Sequence, residues 1–141
     1  VKAIVDNAVP AAVLAELDEQ FERAEPGRNV FGEKQFRAAQ VPIVDHVHRL
    51  AGAADCVGAW FVLTRPEDQG SPPHYDEDGP TAVLHLSDVE GGEFLFLDDV
   101  GEEAVEFKRN RLVVWSEECQ HMHRPPLAGD RRTLVSRFVR R

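Results

Sequence analysis

Over the first fifty positions, apolar residues recur at three- and four-residue steps, the spacing that gathers them on one face of an α-helix. Val13, Leu14, Leu17, Phe21 and Ala24 form one such series behind Pro10. Proline suits a first helical position, where no intrahelical acceptor awaits its missing N–H, and Pro26-Gly27 is expected to end the series. Ile43, Val44, Val47, Leu50 and Ala51 form a second series after Pro42, with Gly52 near its end. From Val57 the texture changes to short apolar or alternating runs cut by Gly, Pro and Asp, which marks strands and turns. The expected strands are Val57–Thr64, Thr81–Leu86, Glu93–Leu97, Ala104–Phe107, Arg111–Trp115, His121–Arg124 and Arg132–Val139. Arg65–Pro73 and Pro125–Asp130 carry too much Pro, Gly and Asp for interior strands and read as loops. The pattern predicts a mainly β fold: a jelly-roll core over 57–139, with N-terminal helices from 1–52 packed on one face as a buttress.

Composition narrows this reading. A chain of 141 residues has the size of one domain and excludes a second full-sized one. An apolar share of 43% and a charged share of 29% are those of a folded globular chain. The longest apolar runs, such as Val57 to Leu63, are too short to span a bilayer. Sixteen basic against 25 acidic residues give a net charge of −9, which argues against nucleic acid and anionic membranes as partners. With Cys56 and Cys119 as the only cysteines and no basic, apolar leader, the expectation is a reduced, cytoplasmic protein. A first residue of Val1 rather than Met leaves a trimmed leader open.

The histidines carry the candidate chemistry. On an extended backbone side chains alternate faces, so His74 and Asp76 project to the same side and can bind one ion. One further histidine from a neighbouring strand, His121 or His123, would complete two imidazoles and one carboxylate, an arrangement that leaves positions open on non-haem Fe(II). His46 and His48 lie two apart in a helical pattern and do not face each other, so no second metal site is expected there. His85 sits in a strand pattern, where it either lines a cavity or is exposed. Gly91-Gly92 reads as a tight turn or bulge, Glu93 as a strand-edge charge, Cys119 as a small filler, and Trp115 as part of the core or a pocket wall.

The order of motifs adds to this. His74-Tyr75-Asp76 is followed by Thr81–Leu86, Gly91-Gly92-Glu93-Phe94, Arg111–Trp115, His121-x-x-Arg124-Pro125 and Gly129–Leu134. The series resembles the prolyl-4-hydroxylase-like branch of the 2-oxoglutarate, Fe(II)-dependent oxygenases over residues 57–139. The resemblance implies a double-stranded β-helix, Fe(II) held by His74, Asp76 and His121, and 2-oxoglutarate anchored through its far carboxylate by Arg131. Its spacing to Pro125 and Arg131 selects His121 over His123 as the third ligand. A guanidinium suits the anchor because it offers a carboxylate two parallel donors, and Thr133, on the same strand face, can add a hydroxyl. Arg132 should face the other way, into solvent.

The implied activity is hydroxylation of an aliphatic carbon of a small molecule or amino-acid side chain, consuming O2 and releasing succinate and CO2. Asp76 argues against halogenation, for which such enzymes give up the carboxylate ligand. Two departures touch the pocket: Thr64-Arg65 stands where these proteins usually carry a Tyr, and Arg137 where they usually carry a Trp. Both argue against a prolyl-peptide substrate and make Arg137, Arg65 and Trp115 the candidate substrate contacts. Two other readings compete. A cupin-type metalloenzyme would use His121 and His123 and be indifferent to Arg131, and a non-catalytic jelly roll would only bind a ligand or partner.

Overall fold

The computed structural model describes residues 2–24 and 33–141. Two antiparallel sheets form a jelly roll, with two helices on the outer face of the larger sheet. The chain runs β1 (Lys2–Asp6), α1 (Ala11–Arg23), α2 (Glu33–Ala51), β2 (Ala54–Thr64), β3 (Thr81–His85), β4 (Glu90–Gly91), β5 (Phe94–Asp98), β6 (Gly101–Val105), β7 (Arg111–Trp115), β8 (Gln120–His123), β9 (Pro126–Ala128) and β10 (Arg131–Arg140). The larger sheet has the order β1-β7-β3-β10-β2, the smaller one β6-β5-β8, and β4 pairs with β9. Among the described residues no helix is long and apolar enough to cross a membrane.

Strand alternation explains the layering. Even-numbered positions of β3, β7 and β10 (Ala82, Leu84, Leu112, Val114, Leu134, Phe138), with Ala59 and Phe61 of β2, face the helices and pack against Leu14, Leu17, Phe21, Ile43 and Val47. Odd-numbered Val83, Val113 and Trp115 face inward and meet Phe94, Phe96 and Val105 of the smaller sheet. Because the helices cover one face, the opposite face is left to line a cavity between the sheets.

Several boundaries differ from the sequence reading. The first fifty residues are not all helical: Lys2–Asp6 is a strand paired with β7, fastened by the Arg111–Asp6 and Lys2–Glu103 ion pairs. Five residues are too few to display a period, and their partner lies a hundred positions away. The second helix starts at Glu33 and carries Pro42 inside it. An interior proline costs about 3 kcal/mol, but Ala39, Ile43 and Val47 on the same face are all within 1% of full burial. Burying two such aliphatic side chains contributes about 1.5–3 kcal/mol each, so packing outweighs the break. Pro26-Gly27 lies outside the described residues. The loop expected at Pro125–Asp130 contains β9, and the strand expected at Ala104–Phe107 is shifted to Gly101–Val105 because Asp98 Oδ1 accepts the N–H groups of Val100 and Gly101 and tightens the preceding turn. Arg132 does face away from the cavity but is not simply solvated. Its guanidinium lies over the Phe21 ring at 5.1 Å and pairs with Glu22, tying β10 to α1.

Residues 65–80 return over the cavity and are held against β8. Ser71 N–H donates to His123 O (3.2 Å), and His74 and His121 exchange backbone bonds of 3.0 and 2.9 Å. Gly70 permits the approach, since a Cβ there would collide with the carbonyl oxygen of His123. Gly70→Ala should therefore destabilise the fold by about 1–3 kcal/mol through overpacking. A urea midpoint unchanged from wild type would show that the segment is not seated on β8.

Candidate metal centre and cavity

His74 comes from the returning segment, Asp76 from two residues further on, and His121 from β8. The backbone bridge between His74 and His121 brings the two rings to 4.3 Å between centroids. Among the described residues this is the group of three ligating side chains that converge, their ligand atoms all within 4.8 Å of one another. Both imidazoles are oriented by backbone carbonyls, which can only accept. His74 Nδ1–H donates to Pro72 O (2.7 Å) and His121 Nδ1–H to Cys119 O (3.0 Å). Each ring is thereby fixed in the tautomer whose Nε2 lone pair is available to a cation.

The two oxygens of Asp76 are differently employed. Oδ2 accepts the Thr81 hydroxyl (2.7 Å) and the Trp115 indole N–H (3.0 Å), and lies 3.4 Å from Arg137 Nη1. Oδ1 lies 3.7 Å from His74 Nε2 and accepts no hydrogen bond among the described residues. Burial pushes the carboxyl pKa up, but the Thr81 hydroxyl, the His121 and Arg137 charges and the Trp115 N–H outweigh it and hold it below the ordinary value. Burial lowers the His121 pKa, partly opposed by the Cys119 carbonyl and Asp76. A charged carboxylate beside two imidazoles that turn Nε2 toward it is the donor set a divalent ion requires.

The triad borders a cavity of about 220 Å³, walled by Trp60, Val62, Val83 and Val135, that also reaches Arg131 and Thr133. Arg131 is 2% exposed. Its Nε–H donates to Gly92 O (2.8 Å), and its guanidinium lies 4.7 Å from the Phe94 ring centre and 4.8 Å from that of Phe107. Burial pulls its pKa down to about 9, opposed by Glu93, so at neutral pH it remains a cation. Its Nη2 is buried and has no hydrogen-bond partner among the described residues. An orphaned N–H on a buried cation is costly, and a carboxylate bound in the cavity would satisfy it.

The remaining candidates separate. Trp115 and Arg137 line the cavity; Arg65 is exposed and does not. His123 lines the cavity outside the triad, with Nδ1 bonded to Ser71 Oγ (2.9 Å). Burial, with the charges of Arg131, His74 and His121, pulls its pKa down to about 4. His85 is neither exposed nor part of the lining: it is fully buried, stacked on Phe107 at 4.0 Å, with Nδ1 accepting the Lys108 N–H. His46 and His48 bond to Ala8 O and Ala54 O, pinning α2 to its flanking chain. The sequence reading missed Gly92 as the carbonyl that holds Arg131 and Thr81 as the donor to Asp76. Gly92 was visible only as a turn signal, and Thr81 only as a strand residue.

Two predictions follow from this geometry. His74→Ala, Asp76→Ala and His121→Ala should each abolish stoichiometric Fe(II) binding in anaerobic titration, whereas His123→Ala keeps most of it; the reverse pattern for the last two would reassign the third ligand. The second concerns His85, whose pKa is held well below its ordinary value by burial and by the Arg131 and Arg111 charges. Below about pH 6.5 the unfolded chain then binds more protons at this residue than the folded one. The stability contributed by keeping His85 neutral is complete above that pH and is lost as the pH falls, at up to about 1.4 kcal/mol per unit. Urea titrations over this range should show a shallower decline in His85→Phe; equal slopes would mean that His85 protonates without unfolding.

No protein-family model matches the sequence, and no curated protein matches it. Solved structures do match. A Pseudomonas putida prolyl-4-hydroxylase superposes with a TM-score of 0.76 at 23% identity, covering 99% of this chain and 88% of that one. The non-haem α-ketoglutarate-dependent epimerase SnoN from nogalamycin biosynthesis gives a TM-score of 0.85 at 14% identity, covering 99% and 77%. HygX from Streptomyces hygroscopicus, solved with nickel and 2-oxoglutarate bound, gives 0.76 at 11% identity, covering 99% and 81%. The chain has the jelly-roll fold of the 2-oxoglutarate/Fe(II) oxygenases, with prolyl-4-hydroxylases among its structural neighbours.

Proposed function

We propose that residues 1–141 form a single Fe(II)- and 2-oxoglutarate-dependent dioxygenase domain that hydroxylates an aliphatic carbon of a small molecule or amino-acid side chain. One observation carries this reading: a converging His74–Asp76–His121 set and a buried Arg131 with an unpartnered N–H border the same cavity. The residues present fit both groups, with nitrogen and oxygen donors for the ion and a guanidinium for the dicarboxylate. HygX, of the same fold, holds nickel and 2-oxoglutarate.

When bound, Fe(II) with 2-oxoglutarate supplies the oxidising chemistry: of the two atoms of O2, one enters succinate as CO2 leaves, and the other converts substrate C–H to C–OH. The chain's own work is placement. His74 and His121 offer Nε2, and Asp76 offers Oδ1 and cancels one cationic charge. Arg131 receives the far carboxylate, with the Thr133 hydroxyl on the same strand face. The Trp60, Val62, Val83 and Val135 walls lower the local dielectric, which strengthens each of these contacts. Three protein ligands leave the open positions that cosubstrate and O2 need. The cupin-type alternative has less support, because the converging set takes His74 and Asp76 rather than His123.

Arg131→Ala should raise the 2-oxoglutarate requirement at least tenfold, because truncating one partner of a buried charge-assisted pair costs about 2–5 kcal/mol and about 1.4 kcal/mol is one decade. Fe(II) affinity without cosubstrate should barely change. Arg132→Ala, on the opposite face, should leave the 2-oxoglutarate titration at wild type. Anaerobic titration of the Fe(II)-loaded variants, followed by metal-to-ligand absorption, measures both. Equal weakening would point to damaged fold, and failure of wild type to bind either group would overturn the proposal.

A further inference from the structure

The register of the larger sheet lays the residues of its inner face out in cross-strand rows. The row beside the triad runs Trp115, Thr81, Arg137, Gly58, across β7, β3, β10 and β2, and the next row includes Val83, Val135 and Trp60. Trp115 and Thr81 are occupied as donors to Asp76. Arg137 stands third and is 22% exposed. Its Nη1 donates to Thr81 Oγ1 and its Nη2 to Glu77 O, while its Nε makes no hydrogen bond among the described residues. Guanidinium carries five N–H donors, so most of its capacity is still available.

The charge balance of this corner leaves Arg137 sharing its anion with the metal on the reading above. Asp76 is its ion-pair partner among the described residues and the one acidic side chain lining the cavity. On the reading above, Fe(II) with Asp76 carries one net positive charge, and 2-oxoglutarate with Arg131 one net negative charge. These cancel, and Arg137 remains as an uncompensated cation beside apolar walls. In a chain of net charge −9, a cation held at a cavity's edge has no general role in attracting anions to the surface and acts locally.

There is also room beside it. Gly58 pairs with Arg137, and a Cβ built on Gly58 meets no atom within 4 Å. The backbone of Gly58 lies outside the left-handed region, so its conformation does not demand glycine. The bulge between Arg137 and Phe138 falls at this same place, on edge strand β2. Bulges recur where a strand re-aims a side chain next to a site. In the register this open space lies beside Arg137 and one row from Trp60 and Val135.

We infer that Arg137 is the recognition point for a carboxylate on the primary substrate, a small aliphatic carboxylic or amino acid whose chain lies along Trp60 and Val135 with its carboxylate in the gap at Gly58. The inference rests on the Fe(II)/2-oxoglutarate reading and names its substrate class.

The test uses wild-type protein loaded anaerobically with Fe(II) and 2-oxoglutarate and titrated with matched probes: hexanoate against hexanamide, and L-leucine against L-leucinamide. Perturbation of the metal-to-ligand absorption reports binding, and succinate release in air reports productive binding. The carboxylates should bind at least about tenfold more tightly than their amides. Arg137→Met should remove most of that preference and Arg137→Lys restore part of it, with 2-oxoglutarate titrations showing whether the cosubstrate site is intact. Gly58→Leu, which fills the gap without straining the backbone, should weaken both members of each pair. If Arg137→Met fails to fold or to hold iron, the wild-type preference and Gly58→Leu still decide. Equal affinity for acid and amide, or no binding of either carboxylate by protein that binds Fe(II) and 2-oxoglutarate normally, overturns this inference alone. Failure to bind Fe(II) and 2-oxoglutarate overturns the function on which it rests.

Discussion

A half-buried carboxylate is stable only where donors meet it, and Asp76 meets them from three strands of the larger sheet. Thr81 and Trp115 reach Oδ2 from β3 and β7 of the larger sheet, and Arg137 approaches it from β10. His121 comes from β8 of the smaller sheet, and His74 from the segment laid across β8. Without Thr81, Trp115 and Arg137, desolvation would favour the neutral acid and Oδ1 would be a poor ligand. The pairing of the two sheets, the path of residues 65–80 and the chemistry of the site therefore meet at one side chain.

The cavity is arranged around two charges that the protein keeps apart. At one end Asp76 is matched within the chain; at the other, Arg131 is only partly matched. Gly92 O and the faces of Phe94 and Phe107 compensate its burial, yet Nη2 has no acceptor among the described residues. Glu93 helps hold it cationic, and His85, kept neutral close by, adds no competing positive charge. A guanidinium left with a donor in hand is a stronger recognition element for an anion than one already satisfied.

The helices make this polarity affordable on stability grounds. The cavity face of the larger sheet carries Thr81, His85, Arg131, Thr133 and Arg137, so it is the opposite face that supplies the continuous apolar contact with Leu14, Leu17, Phe21, Ile43 and Val47. Truncating one such buried leucine or isoleucine to alanine typically costs about 2–5 kcal/mol. The salt bridge of Arg132 to Glu22 and its stacking over Phe21 tie the strand that bears Arg131 to that same buttress.

The features legible in the chain alone were those set by local periodicity. His74 and Asp76 share a side because two residues is the period of an extended backbone, and Arg131, Thr133, Val135 and Arg137 share a face for the same reason. The helix faces and most core strands were likewise readable from spacing. What the tertiary structure decided were the non-local relations: that Lys2–Asp6 pairs with β7, that Pro126–Ala128 finds Glu90–Gly91, and that burial keeps α2 helical through Pro42. It also placed Arg65 outside the cavity, buried His85 behind it, and set the Gly92 carbonyl and two phenylalanines around Arg131. These depend on which distant segments meet and which groups are desolvated when they do, and neither is encoded in the spacing of neighbours along the chain.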